Sequence, residues 1–400
     1  MQAPLPVAPA PALRMNGAMV TLFAFCCGAI VANLYYAQPI IGLIAPDIGL
    51  SPRAASLTVS LTQVGYAIGL FFVVPLADLV ENRALLIVTS IVSVASLVIA
   101  TFVRDPGVFL LVSLLIGFGS VSAQILLPLA AHFAPDASRG RVVGNVMGGL
   151  MLGILLSRPF ASFVADHFGW HAVFATAAVL MTLITVVFAV LMPRRRPDHR
   201  ATYGGLLRSL GTLIVRQPVL RRRSFYQACM FGAFSLFWTA VPLELTRHYG
   251  YTQTQIAVFA LIGALGAIAA PIGGRLADAG HTRIGTLVAT GLAAVGFWPV
   301  AIAPSLGVAG LIFTGVLLDF CVQMNMVLGQ RAIYALDAAS RARLNALYVT
   351  SVFIGGAIGS LIASPLYAWG GWNAVLIAGS AFPVLALLRF GVDELRGGRR

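Results

Sequence analysis

Twelve apolar stretches, each about as long as a membrane-crossing helix, dominate this sequence. A helix needs about 20 mostly apolar residues to cross a bilayer. The chain is 59% hydrophobic and only 10% charged, which leaves too few polar residues to cover a water-soluble protein of this length. The sequence therefore predicts an all-α integral membrane protein with twelve transmembrane helices, numbered here as spans 1 to 12. The predicted spans are 17–43, 56–77, 84–103, 108–132, 142–165, 170–192, 224–245, 256–277, 284–304, 306–330, 344–365 and 372–391.

One connection between the spans, residues 193–223, is long and basic, with nine arginines. It divides the chain into a six-helix half at 1–192 and a second at 224–400, and its residues 206–215 predict a short amphipathic helix on the membrane surface. Of the 26 basic residues, all arginine, 22 fall on the side of this linker, three on the opposite side and one inside a span. Cytoplasmic loops carry such an excess, so both termini are predicted to be cytoplasmic. Scattered between spans, these arginines form no face for nucleic acid.

The two halves repeat each other at a nearly constant offset. Asp78 and Arg83 follow span 2, and Asp278 and Arg283 follow span 8, each 200 residues later. A Gly-Trp pair joins spans 5 and 6 at 169–170, and another joins spans 11 and 12 at 371–372. Matching landmarks in the same order predict two pseudo-symmetric halves, related as parallel repeats by an axis along the membrane normal.

This six-plus-six plan, with its basic linker and its Asp…Arg loops, resembles the major facilitator superfamily over nearly the whole chain. In span 1, the run Asn-Leu-Tyr-Tyr-Ala-Gln-Pro at 33–39 is similar to the bacterial drug:proton antiporters and sugar-efflux permeases with twelve helices. Span 5 carries part of the antiporter signature, because Gly144 and Gly153 fit but Ser157 and Arg158 stand where Gly-Pro belongs. The resemblance implies a monomer in the bacterial inner membrane, whose halves rock about a central site.

Two charged residues inside spans are candidates for the mechanism. Asp319 is the only acid near the centre of a predicted span, and a charge there costs about 2.5–3.5 kcal/mol. Burial favours the neutral form of a carboxyl group, so Asp319 could load and release a proton. Arg158 is the only arginine deep in a span and keeps its charge, so it needs a partner, for which Gln38 and Tyr36 are the candidates. Arg158 could bind an anionic substrate or influence a nearby acid; a structural role is the alternative for both residues.

The resemblance also places spans 1, 4, 7 and 10 around a central substrate cavity. Polar side chains in spans also serve as contacts between helices, so each candidate has this second interpretation. The predicted cavity residues are Asn33, Tyr36, Gln38, Gln124, Trp238, Gln323 and Asn325.

A gate is predicted on the cytoplasmic side, where a carboxylate can cap a helix end and an arginine can reach carbonyl groups. Its residues are Asp78, Arg83, Asp278 and Arg283, for which simple surface ion pairs are the alternative. Glycine-rich runs at 148–153 and 355–359 predict close helix contacts, suited to sliding between the halves.

The predicted function is secondary active transport by alternating access, through proton-coupled efflux of a small organic molecule. The alternatives are an uncoupled facilitator or importer in the same fold and, more remotely, a receptor without transport. The sequence contains no pattern of an enzyme, of a metal site or of nucleotide binding, so no cofactor is expected and the proton gradient is the predicted energy source. The expected partners are the small-molecule substrate, protons and the lipid bilayer.

Overall fold

The computed structural model describes residues 16–135, 138–197, 202–337 and 340–397, and every regular element within these ranges is a helix. Ten helical stretches are long and apolar enough to cross a membrane. One of them, Arg341–Leu395, contains two spans that separate at Gly370 and Gly371, and the shorter apolar helix Thr282–Val295 supplies span 9. The described residues thus contain the twelve predicted spans, and the predicted all-helical membrane fold is confirmed.

In the first half, several spans consist of two consecutive helices. Span 1 is interrupted at residues 33–36, and Pro39 explains the break, because it has no N–H for the carbonyl of Tyr35. Span 2 ends in a 3₁₀ turn. The bounds from span 1 to span 6 are Gly17–Ala32 with Ala37–Asp47, Leu57–Phe72 with Val74–Asp78, Asn82–Phe102, Pro106–Gly119 with Ser122–Phe133, Arg139–Phe168, and Trp170–Leu191.

In the second half, span 8 is the most irregular, because a 3₁₀ segment at Leu261–Ile268 separates two short α-helices. Span 9 ends early, since Pro299 cannot donate to the carbonyl of Val295. The bounds from span 7 to span 12 are Pro218–Arg247, Gln253–Ala260 with Ala269–Asp278, Thr282–Val295 with Pro299–Ile302, Gly307–Tyr334, and Arg341–Gly397 for the last two. Gly371 divides these two spans with a φ of +58°, which only glycine adopts easily.

Span 7 begins earlier than predicted, at Pro218 instead of residue 224. Proline suits the first turn of a helix, where its missing N–H would have no partner. The sequence assigns this stretch to the linker because it contains three arginines at 221–223. Long arginine side chains can extend from a helix end toward water, so the charges are compatible with helix.

The linker contains the predicted amphipathic helix, at Tyr203–Arg216, but much of its apolar face packs on protein instead of the membrane surface. Leu206 and Leu210 are buried, and Leu210 lies in a cluster with Leu220, Leu347 and other residues at the ends of spans 7, 10 and 11. Residues 198–201 of the predicted linker lie outside the described ranges, as do residues 1–15 and 398–400 at the chain ends. We call the membrane face that carries the linker helix the linker side, and the other face the opposite side.

Glycines bring helices into backbone contact within each half. A Cβ atom on Gly153 of span 5 would lie 2.1 Å from the carbonyl oxygen of Gly28 in span 1. A Cβ atom on Gly359 of span 11 would lie 2.0 Å from that of Gly232 in span 7. The prediction that these runs serve sliding between the halves is therefore wrong for both glycines, whose close partners belong to their own half. Gly356 does face the other half, at the side chain of Gln63.

Among the described residues, the most extensive contacts between the two halves join three pairs of spans. Span 2 packs against span 11, span 5 against the first helix of span 8, and the second helix of span 1 against span 7. These pairs form the seam on which the candidate site lies.

Candidate functional site

Arg158 is the centre of a buried polar cluster at the seam. Its side chain in span 5 is only 4% exposed, and its Nε donates to Oε1 of Gln38 at 2.8 Å. Gln38 lies just after the break in span 1, and its Nε2 donates to the hydroxyl of Thr239 in span 7 at 3.1 Å. The predicted contact with Gln38 is confirmed, and Gln38 connects the two halves.

Three aromatic rings surround the guanidinium of Arg158. Its Cζ atom lies 5.0 Å from the ring centre of Tyr35, 5.1 Å from that of Phe234 and 4.7 Å from that of Trp238. Aromatic faces attract a cation, so these rings replace part of the hydration that the guanidinium loses on burial. The Nη2 atom nevertheless has no hydrogen-bond partner among the described residues.

Asp319 of span 10 belongs to the same cluster through Trp238. The indole Nε1 of Trp238 donates to Oδ1 of Asp319 at 2.8 Å, while its ring faces Arg158. No ion pair joins Arg158 to Asp319 among the described residues. We call Gln38, Arg158, Trp238 and Asp319 the central cluster.

The 3₁₀ segment of span 8 packs directly on Asp319. A Cβ atom on Gly263 would lie 2.8 Å from Oδ2 of Asp319, and one on Gly266 would lie 2.4 Å from its Cβ. Both glycines therefore leave room for the acidic side chain. Any movement of this irregular segment would change the surroundings of the carboxyl group.

The other predicted cavity residues have separate environments. Asn33 caps the first helix of span 1 and donates to the carbonyl of Ile30, and its Oδ1 is buried without a partner among the described residues. Tyr36 packs against the ring of Phe160, and Gln124 lies beside the Tyr66 hydroxyl. Gln323 is half-buried, with no side-chain hydrogen bond among the described residues. Of the predicted set, only Gln38 and Trp238 join the central cluster.

Asn325 belongs to a different network, inside the second half. Its Nδ2 donates to Oε1 of Gln227 in span 7 at 2.6 Å, and Gln227 in turn donates to the carbonyl of Val322. Both amide side chains are about 1% exposed. This pair fastens span 10 to span 7.

Gln63 of span 2 is a seam residue that the sequence analysis missed. Its Nε2 donates to the Ser235 hydroxyl at 2.6 Å, and its Oε1 accepts from Ser360 at 3.4 Å. One and two turns away, Ser60 donates to the carbonyl of Ala357 at 2.8 Å and Ser56 to that of Leu361 at 3.2 Å. The spacing of Ser56, Ser60 and Gln63 puts them on one helix face, which is the signal that could have revealed them.

The seam is closed on the opposite side of the membrane. The hydrogen bonds that Gln38, Ser56, Ser60 and Gln63 form with the second half, called the polar ladder here, lie in the part of their helices nearer that side. Asp166 forms a further contact between the halves at this face. Oδ2 of Asp166, at the end of span 5, accepts from the backbone N–H of Thr254 at 3.2 Å and also from its hydroxyl. The carboxylate thus caps the start of span 8 across the two halves.

On the linker side, the linker helix contacts both halves. The Tyr203 hydroxyl donates to the carbonyl of Phe72 in span 2 at 2.9 Å. Arg343, at the start of span 11, donates to the Ser209 hydroxyl at 3.0 Å. These two hydrogen bonds connect the linker helix to each half at this face.

Within the described part of the chain, no hydrogen bond or ion pair of the four predicted gate residues joins the two halves. Asp278 pairs with Arg331 of span 10 at 3.2 Å, and Arg283 pairs with Glu394 of span 12 at 2.7 Å. Arg83 donates to the carbonyl of Ala189 in span 6. Asp78 is exposed and makes no side-chain hydrogen bond with the part of the chain that is described. Their gating role stays a prediction.

The profile of the Major Facilitator Superfamily matches residues 20–309 and 223–398. The chain belongs to the Major Facilitator Superfamily. Among relatives, the uncharacterised transporter YgaY of Escherichia coli O157:H7 is 36% identical over 94% of this chain and 96% of its own. The "Probable nitrate/nitrite transporter NarK2" of Mycobacterium tuberculosis H37Rv is 29% identical over 62% of this chain and 64% of its own.

Solved structures of this superfamily share the fold. A bacterial homologue of the human lysosomal transporter Spinster, solved in an inward-facing and unoccupied conformation, superposes with a TM-score of 0.74. It covers 93% of this chain and 95% of its own at 14% identity. This member of the superfamily is thus a multi-pass membrane transporter for a small-molecule substrate.

Proposed function

We propose that the chain is a proton-coupled secondary transporter of the bacterial inner membrane, in which Asp319 carries the proton. The observation behind this proposal is the position of Asp319 at the seam, where it accepts from the indole of Trp238, whose ring lies against Arg158. The linker side is taken as the cytoplasm because it holds most of the arginines, which also assigns both termini to it. The moving bodies are the predicted halves, 1–192 and 224–400, joined by the linker at 193–223.

Protonation of Asp319 would change the attraction between the halves. Arg158 belongs to the first half, whereas Asp319 and Trp238 belong to the second. An ionised carboxyl group attracts the guanidinium across the seam, and a neutral one does not. The ionised form therefore favours the state that is closed on the opposite side. Loading a proton weakens that closure and allows the alternate opening.

The sequence favours efflux, in which an entering proton exchanges for a departing substrate. The alternative is import or facilitated diffusion in the same fold. The name of NarK2 refers to nitrate and nitrite, which are anions, and Arg158 would suit an anion. Coupling at Asp319 is compatible with either direction, so the direction needs its own experiment.

The test uses the purified full chain in liposomes that contain a pH-sensitive dye, with a panel of cationic, neutral and anionic compounds. We expect one class of compound to change the internal pH in the wild type and not in Asp319→Asn. Exchange of labelled for unlabelled substrate should persist in Asp319→Asn, because it needs no net proton movement.

The matched control is Asp105→Asn, which also removes one carboxylate. Asp105 caps the first helix of span 4 by accepting from the N–H of Val108, and asparagine can accept in the same way. Substrate movement in the wild type without any pH change would refute the coupling and favour the facilitator.

A further inference from the structure

Arg158 has an unused donor edge in a buried part of the seam. Its Nε is occupied by Gln38, but Nη2 has no partner among the described residues, and the side chain is only 4% exposed. A guanidinium keeps its charge and has five N–H donors in a plane. Leaving a buried charged donor without an acceptor costs free energy, so this edge is suited to a ligand that supplies one.

The neighbouring acid does not fill this edge. Oδ1 of Asp319 accepts from the Trp238 indole, and the indole ring lies against Arg158, 4.7 Å from its Cζ. The fixed cation and the acid are therefore neighbours that attract each other without an ion pair among the described residues. An additional negative group could join the cluster without displacing Asp319.

The surroundings of Arg158 favour an anion that presents two oxygens to the guanidinium. The rings of Tyr35, Phe234 and Trp238 lie about 5 Å from the guanidinium carbon and keep water away from it. The remaining contacts are formed in the plane of the guanidinium, where two oxygens of a carboxylate, sulfonate or nitrate fit side by side. Exclusion of water strengthens such a contact.

We propose that the substrate is a small monoanion bound at the Nη2 edge of Arg158, and that it crosses the membrane together with the proton on Asp319. The proposal rests on the function proposed above and adds the charge of the substrate and the relative direction of the proton. It needs no covalent step, because the only chemical change is binding and release of one proton by the carboxyl group.

The charge balance of the central cluster couples binding of the anion to binding of the proton. Among the described residues, the groups that can be charged and that act on Arg158 are Asp319 in span 10 and the Tyr35 hydroxyl in span 1. With tyrosine neutral and Asp319 ionised, the cluster has no net charge, and a bound anion would leave an uncompensated negative charge in a low dielectric. A proton on Asp319 restores neutrality. Anion and proton therefore strengthen each other's binding, and by reciprocity the effect is equal in both directions.

A cationic substrate would behave in the opposite way, because it would compete with the proton. The efflux predicted from the sequence, in which an entering proton exchanges for a departing substrate, is suited to such a cation. For an anion, a proton gradient directed into the cell would drive uptake. The inference therefore reverses the predicted direction of transport.

Binding is tested first, on the full chain in detergent, with benzoate, benzenesulfonate and nitrate as the anions and tetraphenylphosphonium as the cation. We expect Arg158→Gln to weaken anion binding about tenfold or more, since a hydrogen bond between charged groups is lost. Arg158→Lys keeps the charge but not the planar edge, so its affinity for the anion should lie between those of the wild type and Arg158→Gln. Arg53→Gln, at an exposed position, is the matched control and should bind like the wild type.

The same binding assay distinguishes the effect of Asp319 on anion binding from that of Arg158. Wild-type binding of the anion should become tighter as the pH falls. Asp319→Asn, which carries a permanently neutral group, should bind the anion tightly at every pH. Equal anion binding by wild type and Arg158→Gln, or no binding of any of the three anions at millimolar concentration, would overturn the proposal. Tight binding of tetraphenylphosphonium alone would also overturn it.

Transport is then measured in liposomes with nitrate and benzenesulfonate. Both are anions of strong acids, so they stay unprotonated and cannot carry a proton through the lipid. The expected result is acidification of the interior as the anion enters. Nitrate and benzenesulfonate distinguish an inorganic from an organic substrate. Anion entry without a pH change would leave the anion site standing and refute proton coupling. Exchange of protons for a cationic compound would support proton coupling at Asp319 and refute the proposal that the substrate is an anion.

Discussion

Among single residues, Trp238 contacts both charges of the central cluster, because its ring faces the Arg158 guanidinium while its N–H donates to the Asp319 carboxylate. Trp238→Phe keeps an aromatic face for Arg158 and removes the donor to Asp319. A hydrogen bond to a charged group is worth about 1.5–3 kcal/mol. We expect the rate of proton-coupled transport to fall about tenfold or more, with a smaller change in substrate binding, when both are measured on the same preparation.

The matched control is Trp369→Phe, a change of the same type at a side chain that is 80% exposed. It should transport like the wild type. If Trp238→Phe also transported at the wild-type rate, the indole N–H would have no part in coupling, and its contact with Asp319 would be structural.

The two charges of this cluster could be identified from the sequence, but its hydrogen bonds could not. Arg158 and Asp319 stand out because a charge inside an apolar span is costly, whatever the fold. Thr239 and Gln63 are neutral, and such residues are common in membrane helices as contacts between them. Their partners belong to the other half of the chain, about 170 to 200 residues away, so only the packing of the halves reveals them.

Elements show the same division between what a local pattern determines and what packing determines. The spans follow from apolar length alone, and Asn33 and Pro39 give a local reason for the break in span 1. The 3₁₀ segment of span 8 has no comparable signal, because Gly263 and Gly266 acquire their importance from Asp319, which packs on them from span 10. Helix propensity cannot indicate such a contact.

The contact between spans 1 and 5 gives a prediction at the scale of elements. Gly153→Ala places a Cβ atom 2.1 Å from the carbonyl oxygen of Gly28, so the helices must separate. Arg158, little more than one turn further along span 5, would shift with them. Overpacking of this kind costs about 1–3 kcal/mol, and we expect a lower unfolding temperature and weaker transport.

Gly148→Ala is the matched control on the same helix, because a Cβ atom there meets nothing within 4 Å. Its unfolding temperature should equal or exceed that of the wild type, since alanine favours helix over glycine. Equal losses in both variants would mean that alanine harms span 5 for a reason other than contact with span 1.

At the scale of the whole molecule, the contact of Asp166 with Thr254 predicts an effect on the balance between the two openings. Its carboxylate binds Thr254 across the halves, at the start of a helix, where a negative charge is favourable by about 0.3–1 kcal/mol. Asp166→Ala removes this contact only from the state that is closed on the opposite side. We expect a several-fold increase in labelling of Ser360→Cys by an impermeant maleimide applied from that side, in a background without the native cysteines.

Asp105→Ala serves as the comparison, since it removes an acid that caps a helix within one half. It should leave the labelling unchanged. If Asp166→Ala also left the labelling unchanged, the contact with Thr254 would not contribute to the balance between the states.

The strength of the polar ladder on the opposite side bears on the energy source of the transporter. The described residues contribute six neutral hydrogen bonds between the halves, through Gln38, Ser56, Ser60 and Gln63. At about 0.6 kcal/mol each, they are together worth about 4 kcal/mol. A monoanion and a proton that cross together carry no net charge, so the membrane voltage does no work on the pair. A seam of this modest strength can be parted by ligand binding and a pH gradient, whereas each buried ion pair would add about 3–5 kcal/mol to the cost of parting it.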